Sequence, residues 1–179
     1  MNRIWIVGES GSGKTTLANA LSQVLGAECV DLDELYWRPN WQVAPPDEFH
    51  TDVERVLSEV RWVVAGNYAK TQAQFIPLAD TIIWLDYPLP FVFVRLLKRT
   101  LRRVNKQEPC SGGNFETLRL TFSRESILLW LLRTFRRSRR RGWQVKREAR
   151  LAQKRFIHFR HPTQCEQWLK VVRRVESDW

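Results

Sequence analysis

Eight consecutive residues, Gly8-Glu9-Ser10-Gly11-Ser12-Gly13-Lys14-Thr15, constrain this chain more than any other segment. They read as a glycine, four residues, then Gly-Lys-Thr. An apolar run, Arg3–Val7, leads into them. Thr15–Leu25 follows, with Leu17, Ala18, Leu21, Val24 and Leu25 at helical spacing and Gly26 to stop it. A buried strand, a glycine-rich turn and a helix in that order make a phosphate-binding P-loop. The glycines let backbone amides converge, and the helix N-terminus adds the positive end of its dipole. Gly8, Ser10, Gly11, Ser12, Gly13, Lys14, Thr15 and Thr16 are therefore expected to hold ATP. Lys14 would meet the β- and γ-phosphates, and the Thr15 hydroxyl would hold Mg²⁺.

The rest of the chain repeats the same alternation. Glu28–Leu32, Arg61–Ala65, Thr81–Asp86 and Arg155–Phe159 read as further apolar strands. Helices are expected over Asp47–Val60, Leu89–Val104, Glu116–Arg141 with a third stretch to Ala152, and Pro162–Val175. Asn105–Phe115, with Pro109, Gly112 and Gly113, reads as a mobile loop. Continuous apolar strands between helices predict a parallel sheet covered on both faces, α/β in three layers. At 179 residues the chain fits one domain, 1–179.

Charge is unevenly spread. Arg95–Arg160 holds 20 Lys/Arg against 4 Asp/Glu, while the remainder is acidic, leaving a net +10. That stretch should face something anionic. Cys29, Cys110 and Cys165 are too few and too scattered for a disulfide framework or a zinc site. No apolar run is long enough to span a bilayer. No signal-peptide pattern precedes the first strand, so a cytoplasmic location is expected.

Two further constellations carry chemistry. Alternation puts Asp31 and Asp33 on one side at the end of the second strand, where ligands of such sheets bind. Asp31 is the candidate for Mg²⁺, and Asp33 for orienting or deprotonating an acceptor hydroxyl. The bland alternative is that one of them caps the following turn. Gly66 and Asn67, after the third strand, would admit and bind the acceptor, unless they form an ordinary turn. Tyr36–Trp41 combines rings with Arg38, which would hold a flat or anionic acceptor, or pack the core. Arg95, Arg99 and Arg103 lie at i, i+4 and i+8 on one helical face, a phosphate clamp or a solvated surface.

Gly8–Thr16, Asp31–Trp37, Gly66-Asn67-Tyr68 and Ala79–Pro88 resemble the adenylate-kinase-like P-loop kinases. Within them the chain is most similar to the small bacterial group named DNA topology modulation proteins. The resemblance implies a five-stranded parallel sheet in the order 2-3-1-4-5, a substrate segment at 34–60 and a lid at 105–142. It also implies Arg99 and Arg103 as catalytic phosphate clamps, with Arg133 or Arg137 approaching from the far side of the lid. Arg160 would sit in a loop against the adenine, and His161 is not expected to be catalytic. Related kinases carry an Asp where this chain has Ala65; Asp31 would replace it, as in the shikimate-kinase-like branch. The function expected is transfer of the ATP γ-phosphate to a small acceptor, in the manner of nucleoside monophosphate kinases. The alternative is a nucleotide-dependent regulator that binds nucleic acid through Arg95–Arg160.

Overall fold

The structure is a computed structural model that describes residues 1–68 and 72–177. Its centre is a parallel sheet of β1 (Arg3–Gly8), β2 (Glu28–Asp31), β3 (Trp62–Ala65), β4 (Thr81–Leu85) and β5 (Arg155–Phe159). Counted among themselves, the strands lie in the order 2-3-1-4-5. The P-loop strand is thus central, with β3 and β4 as its neighbours. Among the described residues, helices surround the sheet: α1 (Lys14–Leu25), α2 (Leu32–Tyr36), α3 (Pro46–Ser58), α4 (Gln72–Leu78), α5 (Leu89–Lys106), α6 (Leu118–Thr121), α7 (Ile127–Leu151) and α8 (Pro162–Ser177). The short α2 and α4 are helices that hydropathy did not single out.

The strands feed two cores, because successive side chains point to opposite faces. Ile4, Ile6, Val63, Ala65, Ile83 and Leu85 face α1, α5 and α8. Trp5, Val7, Trp62, Val64, Ile82 and Trp84 face α3 and α4. The helix α7 belongs to both: Leu128 and Leu131 are buried in the first core, Val145 and Ala149 in the second. It passes between them beside the C-terminal end of β4. There a Cβ on Gly142 would lie 2.3 Å from the Trp84 indole, so only glycine lets the helix approach. The expected break near Arg141 is therefore absent, and the helix runs about 37 Å without interruption.

A second departure concerns the expected mobile loop. Residues Pro109–Cys110 pair with Asn114–Phe115 as a tiny antiparallel ribbon. A matching ribbon, Trp37–Arg38 with Gln42–Val43, follows α2. The two are clamped together by the buried side chain of Asn114. Its Oδ1 accepts from the Trp41 N–H at 2.8 Å, and its Nδ2 donates to the Arg38 and Ser111 carbonyls at 2.9 and 2.7 Å. Gly112 sits so close to the Trp37 carbonyl that a Cβ would be 2.3 Å away, and its N–H donates to Glu34 Oε2. Within 105–142 this ribbon meets the 34–60 segment, whereas α7 is packed into both cores.

Among the described residues no helix is long and apolar enough to cross a membrane. The three cysteines are free.

Replacing Asn114 by alanine removes three hydrogen bonds and strands the Trp41 N–H. We expect about 2–3 kcal/mol of destabilisation, read as a lower denaturant midpoint. A change under about 0.5 kcal/mol would show that the clamp does not hold the ribbons.

Candidate active site

The P-loop is held by backbone and side chains on every side. Ser12 N–H donates to the Glu9 carbonyl at 3.0 Å and closes the turn. Gly13, with φ 96°, precedes α1, whose first amides have no helical partner and point into the loop. A Cβ on Gly11 would lie 2.8 Å from the Val92 carbonyl, so α5 packs directly on the turn. The Ser12 hydroxyl is buried beneath the loop without a partner. Ser10, Lys14, Thr15 and Thr16 stay accessible. Lys14 Nζ rests on the Glu9 carbonyl at 3.2 Å.

Asn67 is not free for an acceptor, contrary to the expectation. Its Oδ1 accepts from the Gly8 N–H at 3.0 Å, and its Nδ2 donates to the Gly8 carbonyl at 2.5 Å. One step earlier the Gly66 N–H donates to the Ile6 carbonyl in the ordinary β1–β3 ladder. The asparagine side chain thus supplies one more rung after the β3 backbone has turned away. Gly66 likewise serves packing: a Cβ there would be 2.7 Å from Leu32, and its carbonyl accepts from the Trp5 indole at 3.0 Å. Tyr68 completes the motif by donating to Asp33 Oδ1 at 2.7 Å.

The two aspartates separate in role. Asp31 Oδ1 accepts from the Asp33 N–H and caps α2, while Oδ2 takes the Thr15 hydroxyl at 2.5 Å. Burial, then the nearby Asp33, push the Asp31 carboxyl above the usual range. A hydroxyl and a carboxylate drawn together under that penalty suit a cation. Among the described residues no cluster of three or more His, Cys, Asp and Glu could bind one alone. Mg²⁺ needs no such cage when phosphates and water complete its shell.

The arginines sort themselves by burial. Arg95 places its guanidinium over Gly13, where an added Cβ would be 3.3 Å from Nη2. Arg99 is largely buried, its Nε has no partner, and burial, then Arg103, lower its pKa while Glu116 and Asp33 oppose this. Arg103 pairs with the buried Glu116 at 3.4 Å. Arg99 and Asp33 thus lie within electrostatic reach of each other. Arg95 belongs with them at the P-loop itself, and its place at the head of the same stripe was the available signal.

Other candidates fall outside this centre. Arg38 is tied to Glu48 and Asp52 at 3.2 and 3.6 Å, away from the phosphate loop. Arg133 donates to the Arg124 carbonyl, and Arg137 is exposed. The inward arginines of α7 are instead Arg139, on the buried Asp86 at 2.9 Å, and Arg141. The reason is register: Leu128, Leu131, Val145 and Ala149 choose the buried face. Arg160 is exposed after β5, its N–H on Gln164, and His161 meets Thr163, Gln164 and the Phe91 ring. His158 stacks on Trp84 at 4.3 Å and lies 3.1 Å from Asp86; burial pulls its pKa down against that carboxylate.

Between Gly8, Asn67 and Tyr68 on one side and Ser138, Arg141 and Gly142 on the other lies a cavity of about 40 Å³, floored by Trp5 and Trp84. Sequence reasoning missed this pocket and Glu9 beside it. Burial raises the pKa of Glu9, against a hydrogen bond from Ser138 and the charge of Lys14, and Oε2 has no partner.

No family model and no curated protein matches the chain. Solved structures do. Shikimate kinase from Acinetobacter baumannii, in complex with shikimate, has a TM-score of 0.53 at 22% identity, over 99% of this chain and 94% of that one. Shikimate kinase from Bacteroides thetaiotaomicron has 0.56 at 13% identity, over 97% of each. At these identities the likeness shows the P-loop kinase fold alone.

A carboxyl whose pKa is raised by folding favours the folded state at low pH, and that contribution is lost as pH rises through the folded pKa. Glu9→Gln should therefore raise the melting temperature at neutral pH, by about 2–4 °C for each kcal/mol. The gain should vanish as pH falls below the ordinary glutamate range. A gain that is equal at all pH values would mean that ionisation of Glu9 costs nothing.

Proposed function

We propose that this chain is an ATP- and Mg²⁺-dependent kinase that moves the γ-phosphate to a small acceptor, of the nucleoside monophosphate kinase-like kind. The observation that carries the reading is the convergence of Lys14, the Thr15–Asp31 pair, Asp33 and the α5 arginines at one loop mouth. The resemblance of Asp31–Trp37 and Gly66-Asn67-Tyr68 to the DNA topology modulation group belongs to this reading. The nucleic-acid alternative gains no support from the fold.

In this mechanism the amides of the P-loop and α1 cradle the phosphate tail. Lys14 leaves the Glu9 carbonyl for the β- and γ-phosphates. Thr15 and Asp31 would hold Mg²⁺, which neutralises phosphate charge when bound. Asp33, fixed by Tyr68, orients the acceptor hydroxyl and takes its proton. Arg95 and Arg99 sit where negative charge is concentrated as the phosphoryl group moves. Asn67 acts at one remove, by holding Gly8.

Three substitutions separate these roles. Lys14→Ala should abolish the calorimetric signal with Mg·ATP. Asp33→Asn should lower kcat at least about a hundredfold in a coupled assay while ATP affinity stays within about twofold. The acceptors to screen are nucleoside monophosphates, nucleosides, sugars and shikimate-type acids. Tight ATP binding with no turnover on any of them would overturn the kinase reading. Asn67→Ala, which removes no ligand contact, should weaken ATP about tenfold; an unchanged Kd would show that the extra rung is idle.

A further inference from the structure

We propose that the outward face of α7, with the α6 turn before it, docks on an anionic lipid surface. Leu129, Arg133, Arg136, Arg140 and Arg147 recur at helical spacing, so they form one stripe, and each is exposed; Trp143, in the same row, turns its ring edge-on to Trp84 and His158. This stripe lies opposite the buried Leu128, Leu131, Val145 and Ala149. At its N-terminal end the apolar exposure concentrates. Phe122 is 75% exposed, Leu118 56%, Trp130 49% and Leu132 47%. Leu118 and Phe122 lie one helical turn apart, joined by a backbone hydrogen bond, and the Arg133–Arg124 bond ties that turn to α7.

Charge complementarity selects the occupant. From Leu118 to Arg141 the chain holds eight arginines and a single acidic residue, Glu125. The two arginines needed inside, Arg139 and Arg141, face Asp86 and the cavity, so the outward ones have no part in the P-loop. Guanidinium groups would meet any phosphate. Exposed leucines, however, gain nothing from a nucleic acid, which offers stacking faces and charge. A bilayer interface rewards both at once: aliphatic and aromatic tips enter the acyl boundary while arginines stay among the headgroups. The exposed apolar side chains at this end, Leu118 and Phe122 on the α6 turn and Trp130 and Leu132 flanking the stripe on α7, are therefore the part that distinguishes a lipid surface from a generic polyanion.

The test is co-sedimentation of the full chain with vesicles of phosphatidylcholine alone or with added phosphatidylglycerol. Binding is expected with the anionic vesicles and should fall as salt rises. The triple change Arg136→Gln, Arg140→Gln and Arg147→Gln should cost about fivefold per arginine, roughly a hundredfold together. Phe122→Ser with Trp130→Ser should weaken binding at unchanged charge. Both variants should bind Mg·ATP like the parent, since neither touches the P-loop, and that serves as the check on folding. Equal binding to neutral and anionic vesicles would overturn the proposal. So would undiminished vesicle binding by the Phe122→Ser/Trp130→Ser variant, or a preference for duplex DNA that ignores that variant. Self-association that those two changes abolish, without any vesicle binding, would assign the surface to a second copy of this chain instead.

Discussion

The peptide group of Gly8 is the point on which the site depends. Its N–H and carbonyl are both bonded by the Asn67 amide, so the chain leaves the sheet at a fixed position and angle. The turn beyond it has no slack, because α5 occupies the space next to Gly11 and β4 the space next to Gly8. A loop of amides binds phosphate well only if it need not be ordered on binding, since ordering would cost conformational entropy. Here the ordering is done by the fold. The same three-residue motif fixes Asp33 through Tyr68 and the core through the Trp5 indole. The nucleotide loop and the proposed acceptor carboxylate are thus held by adjacent residues.

Burial decides which charges can take part in chemistry. Arg99 and Arg103 stand in the same stripe, yet Arg103 is neutralised by Glu116 while the Arg99 Nε has no partner. On α7 the same division separates Arg139, which anchors the helix on Asp86, from the exposed arginines that form an outward stripe. A chain with a net charge of +10 therefore uses its cations for distinct tasks according to where each side chain points. Glu9 and Asp31 show the opposite side of burial. Each is a carboxylate held at some cost near the phosphate loop, where Lys14 partly offsets the penalty.

The short elements most dependent on tertiary contacts were the least legible. The ribbons at Trp37–Val43 and Pro109–Phe115 have only two residues per strand, too few for a hydropathy pattern. They exist because a single buried side chain, Asn114, satisfies backbone groups from both. Gly142 reads in sequence as a helix break, and in the fold it is the close approach of a helix to Trp84.

By itself the sequence determined the P-loop and the alternation of apolar strands with helices that marks a covered parallel sheet, while the order of the strands was implied only by the family resemblance. The first two features rest on local rules: hydrophobic period, glycine at tight turns and stop signals at helix ends. Only the tertiary structure decided that Asn67 braces Gly8, that Arg38 is tied to α3 and that Arg139 and Arg141, not Arg133 and Arg137, turn inward. Each of these depends on which partner another element brings within about 3 Å, the reach of a hydrogen bond. A linear pattern can mark a side chain as able to bind, but its partner is chosen by the packing of residues far away along the chain.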